Sequence, residues 1–127
     1  MNDLILITKF DQIGNDERGC TASFKLPREQ SEFVFLTRKA NTVSGNTYHQ
    51  GTCAGTNPKT FILLSGVVKI SYRKVGEDTV FENIIDEPAT ILVFPKVVHK
   101  IEVIEDAIFI ECNSIADLQF DRVKELV

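Results

Sequence analysis

Two histidines carry the clearest chemical signal in the sequence. His49 ends the segment GNTYH, His99 ends the segment PKVVH, and the chain contains no other histidine. Imidazole has an ordinary pKa near 6.5, so it can both remove and return a proton close to neutral pH. A C–H bond beside a carbonyl is acidic enough for such a base when a donor stabilises the enolate oxygen. His49 is therefore predicted to be a general base, and His99 is a second candidate for proton transfer.

The two tyrosines are candidate proton donors for the same chemistry. Neighbouring residues of a strand point to opposite faces, so Tyr48 and His49 cannot both face one interior unless the strand bulges. Tyr72 is therefore the predicted acid or oxyanion donor. The alternative for Tyr72 is a core aromatic residue whose hydroxyl reaches the mouth of a β-barrel. His49 and His99 could likewise be structural groups that are satisfied by hydrogen bonds.

Most of the chain has the pattern of strands. β-branched and aromatic residues alternate with polar ones over short runs that end at Gly, Pro, Asn or Asp. The predicted strands are Leu4–Phe10, Gly19–Leu26, Glu32–Thr37, Gly45–Gln50, Thr60–Ser65, Val67–Lys74, Thr79–Ile85, Thr90–Phe94, Lys100–Ile104 and Ala107–Cys112. Many short strands joined by tight turns favour an all-β, closed or nearly closed antiparallel barrel.

A helical pattern is confined to the last segment. Ser114 is predicted to cap a short helix, with Asp117 in position for a capping box. The apolar residues of that helix are Ile115, Leu118, Phe120, Val123, Leu126 and Val127. The helix is expected to pack on the outside of the barrel.

Composition indicates one ordinary globular domain over residues 1–127, with 43% hydrophobic and 25% charged residues. Its 14 basic against 18 acidic residues give a net charge of -4 without a basic block, so nucleic acid is not an expected partner. The apolar runs are too short to span a membrane, and no secretory signal is recognised, so a cytoplasmic location is expected. Cys20, Cys53 and Cys112 share no CxxC spacing and are expected to be reduced thiols.

Three segments resemble the motifs of the cupin family. Gly45–His49 resembles the first cupin motif, which is built around His-x-His, and Lys59–Gly66 resembles its continuation. Pro95–His99 resembles the second motif, which is built around Pro-Gly-x-x-His. The resemblance implies a cupin barrel, a double-stranded β-helix or jelly roll.

Within the cupins, the chain is most similar to enzymes of the sugar-nucleotide pathways. Asp16–Gly19, GNTYH, FILLSG and ISYRKVG carry this similarity over roughly residues 13 to 113. Two subgroups resemble it most: the TDP-4-keto-6-deoxyhexose 3,4-ketoisomerases and the cupin domain of capsular-polysaccharide enzymes that epimerise UDP-linked sugars. The TDP-4-keto-6-deoxyglucose 3,5-epimerases are more distant.

The departures from the cupin motifs concern the metal ligands. Thr47 stands at the first histidine of His-x-His, Lys59 at the glutamate position and Lys96 at the second-motif glycine. A site with three histidines and a glutamate cannot be built, and an ammonium at Lys59 would repel a metal ion. No metal and no other cofactor is therefore predicted, which fits the metal-free ketoisomerases and epimerases.

The resemblance also implies groups that bind a nucleotide-linked sugar. Arginine and lysine suit the phosphate oxygens, and short polar side chains suit the sugar hydroxyls. The predicted substrate-binding residues are Arg18, Asn46, Thr47, Lys59 and Arg73. For each of the three charged residues, the alternative is a solvated surface group.

The leading hypothesis is a metal-independent isomerase or epimerase acting next to the ketone of a TDP- or UDP-linked 4-keto-6-deoxy sugar. The alternative is a non-catalytic cupin that binds a sugar or nucleotide sugar, or a partner subunit of a sugar-nucleotide enzyme. A third interpretation, a small metal-dependent cupin oxygenase or isomerase, requires a bound transition metal. By analogy with family cupins, which pair or exchange edge strands, a homodimer is expected.

Overall fold

Ten strands form the described part of the chain. The computed structural model describes residues 2–113, 116, 119 and 121–127. The strands are β1 (Ile5–Lys9), β2 (Asp11–Asp16), β3 (Gly19–Ser23), β4 (Val34–Arg38), β5 (Val43–His49), β6 (Lys59–Lys74), β7 (Phe81–Ile85), β8 (Ala89–Val93), β9 (Val97–Glu111) and β10 (Arg122–Lys124). Every pairing among them is antiparallel. The all-β prediction is confirmed.

Two long strands, β6 and β9, hold the barrel together. They pair almost throughout, from Phe61 opposite Glu111 to Lys74 opposite Val97, with register shifts between Leu63 and Val68. The first half of β6 also pairs with β8, and its second half pairs with β7. In the same way β9 pairs with β5 near its start and with β4 near its end. The sheet therefore has two halves that share β6 and β9.

The inward faces of the two halves meet in one core. Strands alternate apolar residues toward this interior, as the period of two requires. The core contains Ile5, Phe61, Leu63, Val68, Ile70, Tyr72, Ile85, Ala89, Ile91, Val93, Val97, Val103, Ala107 and Phe109. Both halves contribute to it, so neither half has a separate hydrophobic interior among the described residues.

The sequence pattern divided β6 and β9 incorrectly. Thr60–Ser65 and Val67–Lys74 are one strand, and so are Lys100–Ile104 and Ala107–Cys112, apart from Cys112 at the end. The polar or glycine residues between them lie at β-bulges, which bend a strand without ending it. The pattern also missed β2, because all of its residues are exposed and none of them alternates with a buried one.

The predicted C-terminal helix is wrong from Arg122 onward. Arg122–Lys124 is strand β10, which pairs with Thr47–His49 of β5. Tertiary pairing has overridden the local apolar spacing there. Ser114, Ile115, Asp117, Leu118 and Phe120 lie outside the described residues. Within the described ranges, no helix has the length and apolar character needed to cross a membrane.

Gly66 of β6 lies against the backbone of β9. Its φ is 102°, and a Cβ at this position would lie 2.4 Å from the Asp106 carbonyl oxygen and 2.7 Å from the Ala107 Cα. Both neighbours are backbone atoms of β9, so a methyl group could be accommodated only by separating the two strands. Only glycine fits at this position between the two paired strands.

Gly66→Ala is expected to destabilise the protein far more than Gly76→Ala. Both glycines have positive φ, but a Cβ at Gly76 meets nothing within 4 Å. Gly76→Ala should therefore cost about 1–2 kcal/mol for the backbone conformation alone. Gly66→Ala should cost at least about 2 kcal/mol more, because the strands must also separate. Urea denaturation measures both, and equal losses would show that the pairing of the two strands does not depend on Gly66.

Candidate functional site

A cavity of about 320 Å³ lies among the side chains of β4, β5, β6, β9 and β10. Successive side chains of a strand point to opposite faces, so in the parts of these strands that border the cavity, mostly every second residue faces it. Its lining residues are Val34, Leu36, Arg38, Ser44, Gly45, Thr47, His49, Lys59, Phe61, His99, Ile101, Glu111, Arg122 and Lys124. The volume is in the range of small-molecule binding pockets.

The two histidines lie side by side in this cavity. His49 and His99 are only 4% and 6% exposed, and their ring centroids are 6.0 Å apart. His99 Nδ1 donates a hydrogen bond to the Val97 carbonyl oxygen at 3.0 Å, because a carbonyl oxygen can only accept. His99 Nε2 is then the nitrogen with a free lone pair. His49 Nδ1 is buried and has no hydrogen-bond partner among the described residues.

Both imidazoles are neutral at pH 7. Burial, together with smaller effects of the neighbouring His99 and Lys59, lowers the pKa of His49 to about 3. Burial is also the main reason that the pKa of His99 is lowered. A neutral imidazole is the form that accepts a proton, so the cavity holds two unprotonated bases.

A buried lysine lies next to the histidines. Lys59 is 3% exposed, and its Nζ donates a hydrogen bond to Asn113 Oδ1 at 2.6 Å. Glu111 Oε2 lies 3.3 Å from the same Nζ, and Asn113 Nδ2 in turn donates to the carbonyl oxygen of Gly55. Burial lowers the pKa of Lys59, and the Glu111 carboxylate opposes this shift. An ammonium has three N–H donors, so these two partners leave one for the oxygen of a bound molecule.

Three further cations line the cavity, and sequence reasoning missed all of them. Arg38 comes from β4, and its Nε donates to Ser44 Oγ at 3.2 Å. Arg122 and Lys124 come from β10 and are exposed at the mouth. Glu111 is the one acidic residue among the described lining residues. Although the chain has a net charge of -4, the charged residues that line the cavity are mostly positive. Such a cavity favours an anionic ligand.

The alternation of β4 could have indicated Arg38, because Val34, Leu36 and Arg38 share one face of that strand. No comparable signal existed for Arg122 and Lys124. Their segment has a helical pattern in the sequence, and its pairing with β5 involves residues that are more than 70 positions away in the chain.

Tyr72 lies outside the cavity. Its side chain is 3% exposed and stacks on Phe81 with a centroid distance of 5.8 Å. The Tyr72 hydroxyl donates to Asn83 Oδ1 at 2.6 Å and accepts from Asn2 Nδ2 at 3.2 Å. Both hydrogen-bonding functions of the hydroxyl are therefore engaged in the wall of the barrel.

Three of the predicted substrate-binding residues also lie away from the cavity lining. Arg18 is exposed in the turn between β2 and β3 and pairs with Asp16 at 2.8 Å. Arg73 pairs with Glu125, and Asn46 binds the backbone near the end of the chain. The structure thus brings together Thr47, His49, Lys59 and His99, and places Arg18, Asn46, Tyr72 and Arg73 elsewhere.

The donor set does not suit the metal that the fold often carries. Two imidazoles are available, but a protein site for a transition metal usually needs three or four ligands. Glu111, the one carboxylate among the described lining residues, forms an ion pair with the neighbouring Lys59 ammonium. Among the described residues, no group of three His, Cys, Asp or Glu side chains is arranged to hold a metal ion.

Comparison with known proteins gives a fold but no close relative. No protein-family model matches the sequence, and no curated protein matches it. The 3,4-ketoisomerase QdtA from Thermoanaerobacterium thermosaccharolyticum, in complex with TDP, is similar with a TM-score of 0.71 and 16% identity, over 98% of this chain and 90% of that chain. This chain has the cupin fold.

Two other solved structures support the same conclusion. The epimerase RmlC from Legionella pneumophila Philadelphia 1, in complex with dTDP-4-keto-L-rhamnose, has a TM-score of 0.69 and 15% identity, covering 98% of this chain and 73% of that chain. The capsular polysaccharide assembling protein CapF from Staphylococcus aureus has a TM-score of 0.63 and 20% identity, covering 93% of this chain and 34% of that chain. The resemblance to sugar-nucleotide cupins is confirmed at the level of the fold.

The burial of His49 predicts a specific loss of stability in acid. Its pKa in the folded cupin, about 3, lies below the unfolded value near 6.5, so between these pH values the unfolded state binds more protons. The free energy of unfolding should fall as pH decreases through this window, by up to about 1.4 kcal/mol per pH unit from this group. His49→Asn should unfold with a shallower pH dependence, whereas His99 remains in both proteins.

Urea denaturation between pH 4.5 and 7.5 measures this difference. The two free energies of unfolding should converge, or cross, as the pH falls, and run parallel above pH 7. A wild-type curve with the same slope as that of His49→Asn would show that His49 titrates normally in the folded protein.

Proposed function

We propose that the protein is a metal-independent isomerase or epimerase that moves a proton next to the ketone of a nucleotide-linked 4-keto-6-deoxy sugar. One observation carries this proposal. The neutral imidazole of His49 and the buried ammonium of Lys59 line the same cavity. A base and a fixed positive charge are what proton removal beside a carbonyl requires. The shared fold of QdtA and RmlC supports the substrate class.

The proton transfer assigns one role to each group. His49 takes the proton from the carbon beside the ketone, and the C–H electron pair becomes a C=C bond while the carbonyl electrons move to oxygen. The Lys59 ammonium stabilises the resulting enolate oxygen with its remaining N–H. Return of the proton to the opposite face of the same carbon inverts that centre. Return of the proton to the former carbonyl carbon, with transfer of the neighbouring hydroxyl proton to the former carbonyl oxygen, shifts the ketone instead.

The low pKa of His49 belongs to the cavity without a ligand. A neighbouring negative charge favours the imidazolium form, so a bound phosphate-bearing ligand raises the pKa of His49. The base is therefore unprotonated when the substrate arrives, and its proton affinity increases once the substrate is bound. His99, with Nε2 free, is the second imidazole available for the return of the proton.

The cations at the mouth indicate how the nucleotide part binds. Arg38, Arg122 and Lys124 are accessible to phosphate oxygens, and Arg binds such oxygens through two parallel hydrogen bonds. A cavity of about 320 Å³ is at the small end of ligand pockets, which fits a sugar better than a whole nucleotide sugar. In this arrangement the sugar occupies the cavity and the diphosphate lies at its mouth.

A specific observation favours a second candidate function, binding without catalysis. Tyr72, the predicted proton donor, lies outside the cavity, and no tyrosine is among the described lining residues. Protonation must then come from His49, His99, Lys59, Glu111, water or the substrate itself. If those groups do not suffice, the same cations and hydroxyls make a binding module for a sugar nucleotide.

The homodimer, the single domain and the cytoplasmic location stay predictions.

Deuterium uptake from D2O into TDP-4-keto-6-deoxyglucose and its UDP counterpart tests the reaction. Wild-type protein should exchange the proton beside the ketone with at least one of them. His49→Asn should reduce the rate by about 10²-fold or more, the usual loss when a general base is removed. Circular dichroism and the melting temperature at pH 7.5 verify that the variant is folded.

The outcomes separate the two candidate functions. Exchange that is absent in wild type, together with tight binding of TDP or UDP, would replace the enzyme by a binding module. Exchange that is equally fast in wild type and in His49→Asn would exclude His49 as the base. Failure to bind any nucleotide would exclude both functions.

Tyr72→Phe tests whether Tyr72 is the proton donor predicted from the sequence or a structural residue of the barrel wall. The Tyr72 hydroxyl bonds to Asn2 and Asn83 outside the cavity, so its removal should change the exchange rate by less than about twofold. It should lower the free energy of unfolding by about 1 kcal/mol, because two polar groups lose a partner. A large loss of exchange in a folded Tyr72→Phe protein would return Tyr72 to the list of catalytic residues.

A further inference from the structure

Two of the cations at the cavity mouth, Arg122 and Lys124, lie on β10, the shortest of the described strands. β10 is three residues long and pairs with β5, placing Arg122 opposite His49 and Lys124 opposite Thr47. Directly opposed residues of an antiparallel pair project from the same face. Arg122 and Lys124 therefore face the cavity because β10 holds its register on β5.

Three residue pairs at the edge of a sheet are a weak attachment by themselves. The residues after β10 supply a second one, which we call the Arg73 latch: Arg73, Asn46 and residues 125–127. Arg73 Nη2 donates to Glu125 Oε2 at 2.7 Å and to the Leu126 carbonyl oxygen at 2.6 Å. The Asn46 carbonyl oxygen accepts from Glu125 N at 2.9 Å, and Asn46 Oδ1 accepts from Val127 N at 3.2 Å.

The Arg73 side chain is 16% exposed, so its ion pair with Glu125 is partly shielded from water. A partly shielded ion pair that is supported by a further hydrogen bond, here from Arg73 to the Leu126 carbonyl oxygen, is stronger than an exposed surface pair, which contributes little. Arg73 also belongs to β6 and lies outside the cavity lining. It therefore acts on the cavity through the segment that it holds.

The other side of β10 is held by Asp121. Its carboxylate accepts hydrogen bonds from the amides of Gly51 at 2.8 Å and Thr52 at 3.3 Å, and from the hydroxyls of Thr52 and Thr56. Burial alone would raise the pKa of Asp121, but these hydrogen bonds outweigh it and hold the pKa below its usual value. β10 is thus attached before Arg122 by Asp121 and after Lys124 by the Arg73 latch.

We infer that Arg73 is a positioning residue: its ion pair with Glu125 holds β10 in register, so that Arg122 and Lys124 face the cavity and bind the phosphates of the ligand. The inference rests on the proposed function only for the class of ligand. Loss of the latch should weaken phosphate binding, while His49 and Lys59, which lie on β5 and β6, stay in place. The effect should thus appear in Kd and KM and not in kcat.

Charge reversal separates positioning from simple electrostatics. Arg73→Glu removes positive charge and Glu125→Arg adds it, yet both place like charges at the latch. We expect each to weaken the binding of TDP about 10-fold or more, whereas long-range electrostatics alone predicts tighter binding for Glu125→Arg. The double variant, Arg73→Glu with Glu125→Arg, restores an ion pair and should return Kd to within about threefold of wild type.

Lys74→Glu is the matched control, because it makes the same charge change at the neighbouring, exposed residue outside the latch. Its Kd for TDP should stay within about threefold of wild type. Isothermal titration calorimetry with TDP and with inorganic pyrophosphate gives the affinities. The deuterium-uptake assay gives KM and kcat, and Arg73→Glu should raise KM while kcat changes by less than about twofold.

Amide hydrogen exchange at Val123 and Glu125 tests the latch without any ligand. Both amides should exchange at least 10-fold faster in Arg73→Glu than in wild type, and the double variant should recover the protection. Unchanged exchange in Arg73→Glu would overturn the inference, and so would a double variant that recovers neither protection nor affinity. If wild type binds neither TDP nor pyrophosphate, the proposed ligand class is wrong, and the exchange result alone decides whether the latch exists.

Discussion

The rest of the site depends on how the protein buries the ammonium of Lys59. An unpaired charge in a protein interior costs several kcal/mol, so Lys59 can be 3% exposed only with partners. Glu111 supplies the opposite charge at 3.3 Å and Asn113 an acceptor at 2.6 Å. Asn113 is itself bonded to the Gly55 carbonyl oxygen. One buried charge therefore ties together the start of β6, the end of β9 and the loop between β5 and β6. The first two contribute Lys59 and Glu111 to the cavity lining.

The same charge governs the acid–base state of the cavity. Burial is the larger effect on His49 and His99, and Lys59 adds to it by disfavouring a second positive charge nearby. The result is a cavity with two neutral imidazoles beside one fixed cation. Asp121, the carboxylate that would favour the protonated form of His49, is engaged by hydroxyl and amide donors. The arrangement suits proton removal at neutral pH, and it makes the folded state sensitive to acid.

Much of the fold follows from local pattern, and the exceptions have a common cause. β1, β4, β5, β7 and β8 lie close to their predicted positions, because each is a short run of strand-forming residues bounded by turn residues. β6 and β9 were each divided in two, since a glycine or an acidic residue at a bulge resembles a turn when the partner strand is unknown. β10 was predicted as helix for the same reason. Its strand conformation comes from hydrogen bonds to β5, which a local window does not contain.

The candidate site likewise has features that follow from local sequence pattern and features that depend on tertiary pairing. The sequence by itself determined that the chain is a β protein with the cupin pattern, and that His49, His99, Thr47 and Lys59 are chemically notable residues. Only the tertiary structure decided that these four share a cavity, that Tyr72 is turned into the wall, and that Arg38, Arg122 and Lys124 complete the charge around the opening. The physical reason is that a period of two assigns a residue to a face of its strand, whereas the neighbours across a barrel are set by the register of strands far apart in the chain.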